Sequence, residues 1–278
     1  MFSLVQQNPL AMKKLFFILL LAPVFLTECT TNAVTGRSQL SLVPNDQLQA
    51  DAATQYRTFL SQNKVVSSSS NRDAEMVQRV GSRIATAITN YYKSQGKGSV
   101  LDGYKWEFNL VDSKDVNAWC MPGGKVVVYT GLLPITQNEA ALAVVLGHEI
   151  THAVAQHTNE ALSKQYVLQG VGSLLGAGIA SPEKAQAFNT VFGLGSGVYG
   201  LSNSRNAEYE ADHFGLLFCA MAGYNPQEAI PFWNRMQAAA ANSSRPPEFL
   251  SDHPADANRI ARLQGYMKEA LSYYKPVH

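Results

Sequence analysis

The apolar positions of this chain change their period several times, and each change marks an element. From Asp73, apolar residues recur at Met76, Val77, Val80, Ile84, Ile88 and Tyr91. Spacing by threes and fours is one face of an α-helix, with Asn71 before it and Gly96 after it as suitable ends. An earlier short helix is expected from Asp46 to Leu60, followed by a flexible break at Ser67 to Ser70. Trp106, Phe108 and Leu110 alternate with polar neighbours, the two-residue period of a half-buried strand. Lys125 to Thr130 reads as a second strand after a turn at Pro122-Gly123-Gly124. Thr136 and Glu139 have capping-box spacing, so a helix is expected from Gln137 to about Gln156. Its middle, Ala140 to Leu146, is apolar on nearly every side, and such a helix belongs at the centre of a fold. Another helix is expected from Asn203 to Ala222, stopped by Gly223, while Ser181-Pro182 and Asn225-Pro226 look like helix starts. The pattern is α+β and predominantly helical, with a small antiparallel or mixed sheet beside the central helix.

The N-terminus reads differently. Lys13 and Lys14 precede an apolar run from Leu15 to Leu26, the pattern of a secretory signal and too short for a comfortable membrane span. Residues 1–28 are therefore expected to be a signal peptide whose translation starts at Met12. Leu26-Thr27-Glu28-Cys29 resembles a bacterial lipoprotein cleavage box, although Glu28 stands where a small residue is usual. Cys29 is the expected lipidation site, anchoring the chain to a membrane facing the periplasm. Residues 29–70 are expected to be a polar tether, Thr30 to Pro44, and the N-terminal helix. The main domain then runs over 71–278. Within it, Tyr166 to Leu201 is rich in glycine with apolar residues in the gaps, and is expected to form a helical hairpin or lid.

Composition narrows the function. With 278 residues, 46% hydrophobic and 15% charged, the chain is long and apolar enough to bury a real core. A net charge of +1 argues against a nucleic-acid partner. Three cysteines without paired spacing exclude a thiolate metal cluster, and leave open whether Cys120 and Cys219 pair.

The chemistry lies on the central helix, at His148-Glu149-Ile150-Thr151-His152. Histidines four apart share a helical face and can share one metal ion. Imidazole suits zinc, and the glutamate between them is placed to act on water. A catalytic zinc site needs a third protein ligand. Glu208 and Asp212 are four apart and share a face of the later helix, whereas Glu210 points roughly 200° away. One of that pair can ligate zinc while the other orients a ligand histidine. His157 and His213 read as helix-surface residues.

This ordered set resembles the gluzincin metallopeptidases that include HtpX and the CAAX prenyl proteases. It is most similar to their periplasmic or lipoprotein branch, that of the β-barrel assembly-enhancing protease and the mitochondrial inner-membrane stress metalloprotease. The resemblance runs from about Asn71 to Met267. It is carried by Asn117-Ala118, Pro122-Gly123-Gly124, Gly147 to His152, Arg205, Glu208 to Asp212, His253-Pro254 and Arg259. It implies a zincin-like domain with one catalytic zinc ion held by His148, His152 and Glu208. Glu149 is then the general base and Asp212 stands behind the ligands. Arg205 and Arg259 are expected to brace the site from behind, and Asn117, Gly123 and Gly124 to border the substrate cleft. The strand Lys125 to Thr130 is expected along that cleft, with Trp119 and Tyr129 either lining pockets or packing in the core. His253, read as preceding a helix start at Pro254, has two available roles. It can donate to the oxyanion, or occupy zinc's fourth position and hold the enzyme inactive together with the hairpin. The implied activity is cleavage of misfolded or misassembled envelope polypeptides. The competing reading is a chaperone-like peptide-binding module with a zinc site and little turnover.

Overall fold

Strand Lys125–Tyr129 (β6) is buried along nearly its whole length, and the described structure is arranged around it. The computed structural model describes residues 29–168, 204–242, 247–253 and 258–276. The expected signal segment, 1–28, and residues 169–201 of the expected glycine-rich hairpin, with its helix start at Ser181-Pro182, lie outside the described residues. Four strands form one mixed sheet in the order β3 (Val65–Val66), β4 (Glu107–Val111), β6, β5 (Ala118–Met121). The β4–β6 pair is parallel and the other two pairs are antiparallel.

Alternation along these strands divides the core between two faces. Val126 and Val128 pack with Phe108, Leu110, Ala118 and Cys120 on the face that meets helices α2 (Arg72–Ser94) and α4 (Glu139–Val154). Val127, Val111 and Met121 point the other way, towards Leu48, Ala52 and Tyr56 of α1 (Asn45–Gln62). Leu162 and Tyr166 of α5 (His157–Leu168) join that second cluster. Helix α4 is buried from Ala141 to Val154, as its lack of a polar face requires. Beside it lie α6 (Arg205–Met221), α7 (Ala229–Ala241), the short α8 (Glu248–Asp252) and α9 (Arg259–Tyr273). A four-residue helix, α3 (Leu133–Thr136), precedes α4. No described helix is long and apolar enough to cross a membrane.

Several expectations need adjustment. Ala118–Met121 is a strand that the sequence pattern did not reveal, because Ala-Trp-Cys-Met is nearly all apolar and shows no alternation. It forms the edge of the sheet, so Lys125–Tyr129 is interior and cannot pair with an added peptide. The segment expected as a tether is folded: β1 (Cys29–Thr31) and β2 (Ser38–Leu40) pair as an antiparallel hairpin. Its buried groups are polar, which is why it resembled a linker. Asn32 Nδ2 donates to Gln39 Oε1 at 3.0 Å and to the main-chain oxygen of Ala155, just past α4, at 2.6 Å.

The start of α4 also differs. The Thr136 hydroxyl donates to Leu133 O within α3, and Gln137 has φ of +64°. The cap is Asn138, whose Oδ1 accepts from Ala141 N at 2.8 Å. Asn138→Ala is therefore expected to lower the unfolding free energy by about 1 kcal/mol. Asn138→Ser, which keeps an acceptor, should retain most of it, as read from denaturant midpoints at unchanged slope.

Candidate metal centre

Two helices meet closely enough to build a site. A Cβ at Gly147 of α4 would strike the carbonyl oxygen of Gly215 in α6. A Cβ at Gly215 would lie 2.6 Å from His148 N, so neither position has room for a side chain. This approach sets His148 and His152 opposite Glu208, which lies two turns before Gly215.

The donor atoms outline a small polyhedron. His148 Nε2 is 3.0 Å from His152 Nε2 and 3.2 Å from His253 Nδ1. The Glu208 carboxylate lies 3.4 Å from each of the two α4 histidines and 3.1 Å from His253 Nδ1. A tetrahedron with metal–ligand bonds of about 2.0–2.1 Å has edges of about 3.3 Å, so these separations are those of a zinc-sized site. Histidine nitrogens turned towards one another around a carboxylate, with exposures of only 4–6%, form a costly arrangement unless a cation joins them. His148, His152, Glu208 and His253 can all hold one metal ion, and zinc is the cofactor that this donor set suits.

Behind each α4 histidine stands a brace. His148 Nδ1 is 3.1 Å from Asp212 Oδ1. Arg259 donates to that same oxygen through Nε at 3.1 Å and Nη2 at 2.5 Å, and stacks over Trp233 at 3.7 Å. Burial alone would lower the His148 pKa, but Asp212 and Glu208 outweigh it and hold the ring at about 9. Burial would raise Asp212, and the Arg259 charge and His148 instead hold it below the usual carboxylate range. Burial would likewise raise Glu208, which His253 and His148 hold well below that range. Burial drives His152 well below the usual imidazole value, whereas Glu149 and Glu208 overcome the same penalty and raise His253.

His152 has a different partner. Its Nδ1 is 2.9 Å from Nδ1 of His157, which is 2% exposed and so is not the surface residue expected. His157 Nε2 in turn meets Glu210 Oε2 at 2.9 Å. The signal for His157 was present in the chain, but Gln156 takes a left-handed φ of +56° and redirects the residue that follows.

The remaining expected residues separate. Arg259 is 2% exposed and lies against Asp212 behind His148, whereas Arg205 is exposed at the first turn of α6. His253 caps the end of α8, its N–H donating to Phe249 O at 2.9 Å, and the helix start expected at Pro254 lies outside the described residues. Asn117 is buried at one end of β5, and its neighbour Val116 accepts from Phe249 N of α8 at 3.0 Å. Gly123 and Gly124 stand at the opposite end of β5, with φ of +81° and +80°, against Gln49 and Trp106. Tyr129 stacks on Phe59 and Trp119 packs edge-on against it, both within the second core cluster. Cys120 and Cys219 are buried and free, and burial, with Glu149 adding to it, holds the Cys120 thiol well above its usual range. His213 is partly buried and pairs with Glu269 at 2.6 Å, away from the donor set.

Comparison with known proteins agrees with this geometry. The family model described as Peptidase family M48 matches residues 71–267. The mitochondrial metalloendopeptidase OMA1 of Saccharomyces cerevisiae is 38% identical over 183 residues, covering 64% of this chain and 51% of its own length. Its Bos taurus counterpart is 29% identical over 273 residues, covering 92% of this chain and 49% of its own. The β-barrel assembly-enhancing protease of Escherichia coli K12 is 33% identical over 186 residues, covering 63% of this chain and 38% of its own. The chain thus spans about half or less of the length of these relatives. With the family model covering most of its length, and the histidine pair and Glu208 inside the match, the chain belongs to peptidase family M48.

Proposed function

We propose that this protein is a zinc-dependent endopeptidase of the bacterial cell envelope that hydrolyses peptide bonds in misfolded or misassembled polypeptides. The observation that carries the reading is the buried donor set with an acidic residue, Glu149, beside it that is not one of the donors. His148, His152 and Glu208 would hold zinc. The metal supplies Lewis acidity towards water and towards the scissile carbonyl. Glu149 takes the proton of the attacking water and returns it to the leaving amine. Asp212 and Arg259 keep the His148 ring turned so that its Nε2 faces the other donors.

His253 is given the resting role of latch. Its Nδ1 lies among the donors and its Nε2 is 3.3 Å from Glu149 Oε1, so the same ring would compete with water for a bound metal and also reach the base. Release of that ring would admit substrate. The glycine-rich segment 166–201 lies between the two metal-bearing helices in sequence. Export and attachment through a lipidated Cys29 rest on the N-terminal sequence pattern. The envelope substrate class draws on the name of the β-barrel assembly-enhancing relative. The domain limits proposed remain 1–28 for the signal, 29–70 for the N-terminal part and 71–278 for the peptidase, which accords with a family match over 71–267.

The test is cleavage of casein by the purified protein. Chelation is expected to abolish it and added zinc to restore it. His253→Ala is expected to increase basal cleavage or self-cleavage. Loss of cleavage with peptide binding retained would instead assign His253 to the oxyanion, and unchanged activity would reduce it to a helix cap. Binding of unfolded casein without turnover, at full zinc occupancy, would favour the chaperone-like module.

A further inference from the structure

The brace behind His152 does not end at His157. Glu210 accepts from Arg37 at its Nε, at 2.7 Å, and at its Nη2, at 3.2 Å. Arg37 also grips Glu160 of α5 through Nη1 at 3.0 Å and Nη2 at 2.6 Å. Arg37 belongs to the N-terminal β1–β2 hairpin, more than a hundred residues from its partners in the chain. The same hairpin places Asn32 on the carbonyl of Ala155, just beyond the end of α4. Two separate contacts therefore join this hairpin to the segment that follows His152.

The proton positions along the chain of contacts follow from chemistry. A neutral imidazole that gives Nε2 to a metal carries its proton on Nδ1, so His152 donates to His157 Nδ1. His157 must then carry its own proton on Nε2, and donates it to Glu210. Glu210 has only acceptors, and Arg37 has only donors. Each donor is matched by an acceptor in one direction only, which fixes both tautomers and the orientation of the His152 ring. The arrangement repeats the one behind His148, where Asp212 and Arg259 do the same without an intervening ring.

We propose that Arg37 of the N-terminal hairpin is a positioning residue for the metal ligand His152, acting through Glu210 and His157. The zinc site is then incomplete without the hairpin, although the hairpin supplies no ligand. A change in the attachment or docking of the N-terminal segment would be felt as a change in metal affinity. The idea rests on the zinc reading above and extends it to residues outside the histidine motif.

The test is zinc affinity of the full chain, by competition with a chromophoric chelator, beside thermal unfolding of the metal-free protein. His157→Phe is expected to weaken zinc about tenfold or more, the usual effect of removing a direct partner of a ligand. Arg37→Ala and Glu210→Gln should each weaken it severalfold, and the double variant should weaken it by less than the product of the two. Arg37→Lys should recover part of the loss. Lys64→Ala, which removes an exposed ion pair with Asp112, should leave affinity unchanged. A purely structural role would lower metal-free stability and leave affinity intact, and that result would overturn the proposal. Independent, multiplicative effects of Arg37→Ala and Glu210→Gln would also overturn it. His148→Ala distinguishes the two levels: if it keeps zinc, the site reading itself fails, whereas its loss alongside unaffected Arg37 variants rejects only the relay.

Discussion

Glu149→Gln is expected to bind zinc as tightly as the parent protein while cleaving casein about 10²–10⁴-fold more slowly. The substitution keeps the shape of the side chain and removes its negative charge, and with it the capacity to accept a proton. Glu149 is 3% exposed and sits between two ligand positions, yet it is not one of the four donors that face a common point. Its loss should therefore separate binding from catalysis. His148→Ala and Glu208→Ala should behave in the opposite way, losing the metal first and activity as a consequence. Zinc content by atomic absorption and initial rates on the same preparations decide the matter. Equal zinc loss in all three variants would reject the division of roles between Glu149 and its neighbours.

These two kinds of residue were legible to different degrees, for reasons that lie in the physics of the chain. His148, Glu149 and His152 are local to one helix, so their common purpose is written in the spacing. Glu208 and Asp212 could be paired by helical facing, although only the fold brings them to the histidines. His157 is five residues beyond His152, which on an unbroken helix turns it roughly 140° away. The left-handed Gln156 cancels that rotation, and no apolar pattern marks such a residue. Arg37 was hidden for another reason. A hairpin whose buried groups are Asn32 and Gln39 has the composition of a linker, so its docking cannot be read from hydrophobic period. The edge strand Ala118–Met121 failed to show because nearly every side chain in it is apolar and alternation vanishes. The helices with one apolar face, such as α2 from Arg72 to Ser94, were legible almost to the residue.

The crossing of α4 and α6 carries the other large expected effect. Replacing glycine by alanine inside a helix ordinarily stabilises a protein by about 0.5–1 kcal/mol, because the chain loses less freedom on folding. Gly265 of α9 is such a position: a Cβ there would meet nothing within 4 Å, so Gly265→Ala should raise stability. Gly215→Ala should reverse the sign. Its methyl group would lie 2.6 Å from His148 N and 2.8 Å from the Gly147 carbonyl carbon, and both are helix backbone with no rotamer to change. The helices must separate, and in a close-packed interior that separation opens gaps elsewhere along the contact. A cost of about 3 kcal/mol is expected, at the upper end of overpacking effects because no flexible side chain can absorb the clash. The same displacement carries Glu208 and Asp212 away from His148 and His152, so zinc affinity should fall at least tenfold although no ligand has changed. Denaturant unfolding and chelator competition on Gly215→Ala and Gly265→Ala test both statements together. If Gly215→Ala matches Gly265→Ala in stability and binds zinc like the parent protein, the two metal-bearing helices are not held backbone to backbone, and the site owes its geometry to something other than this contact.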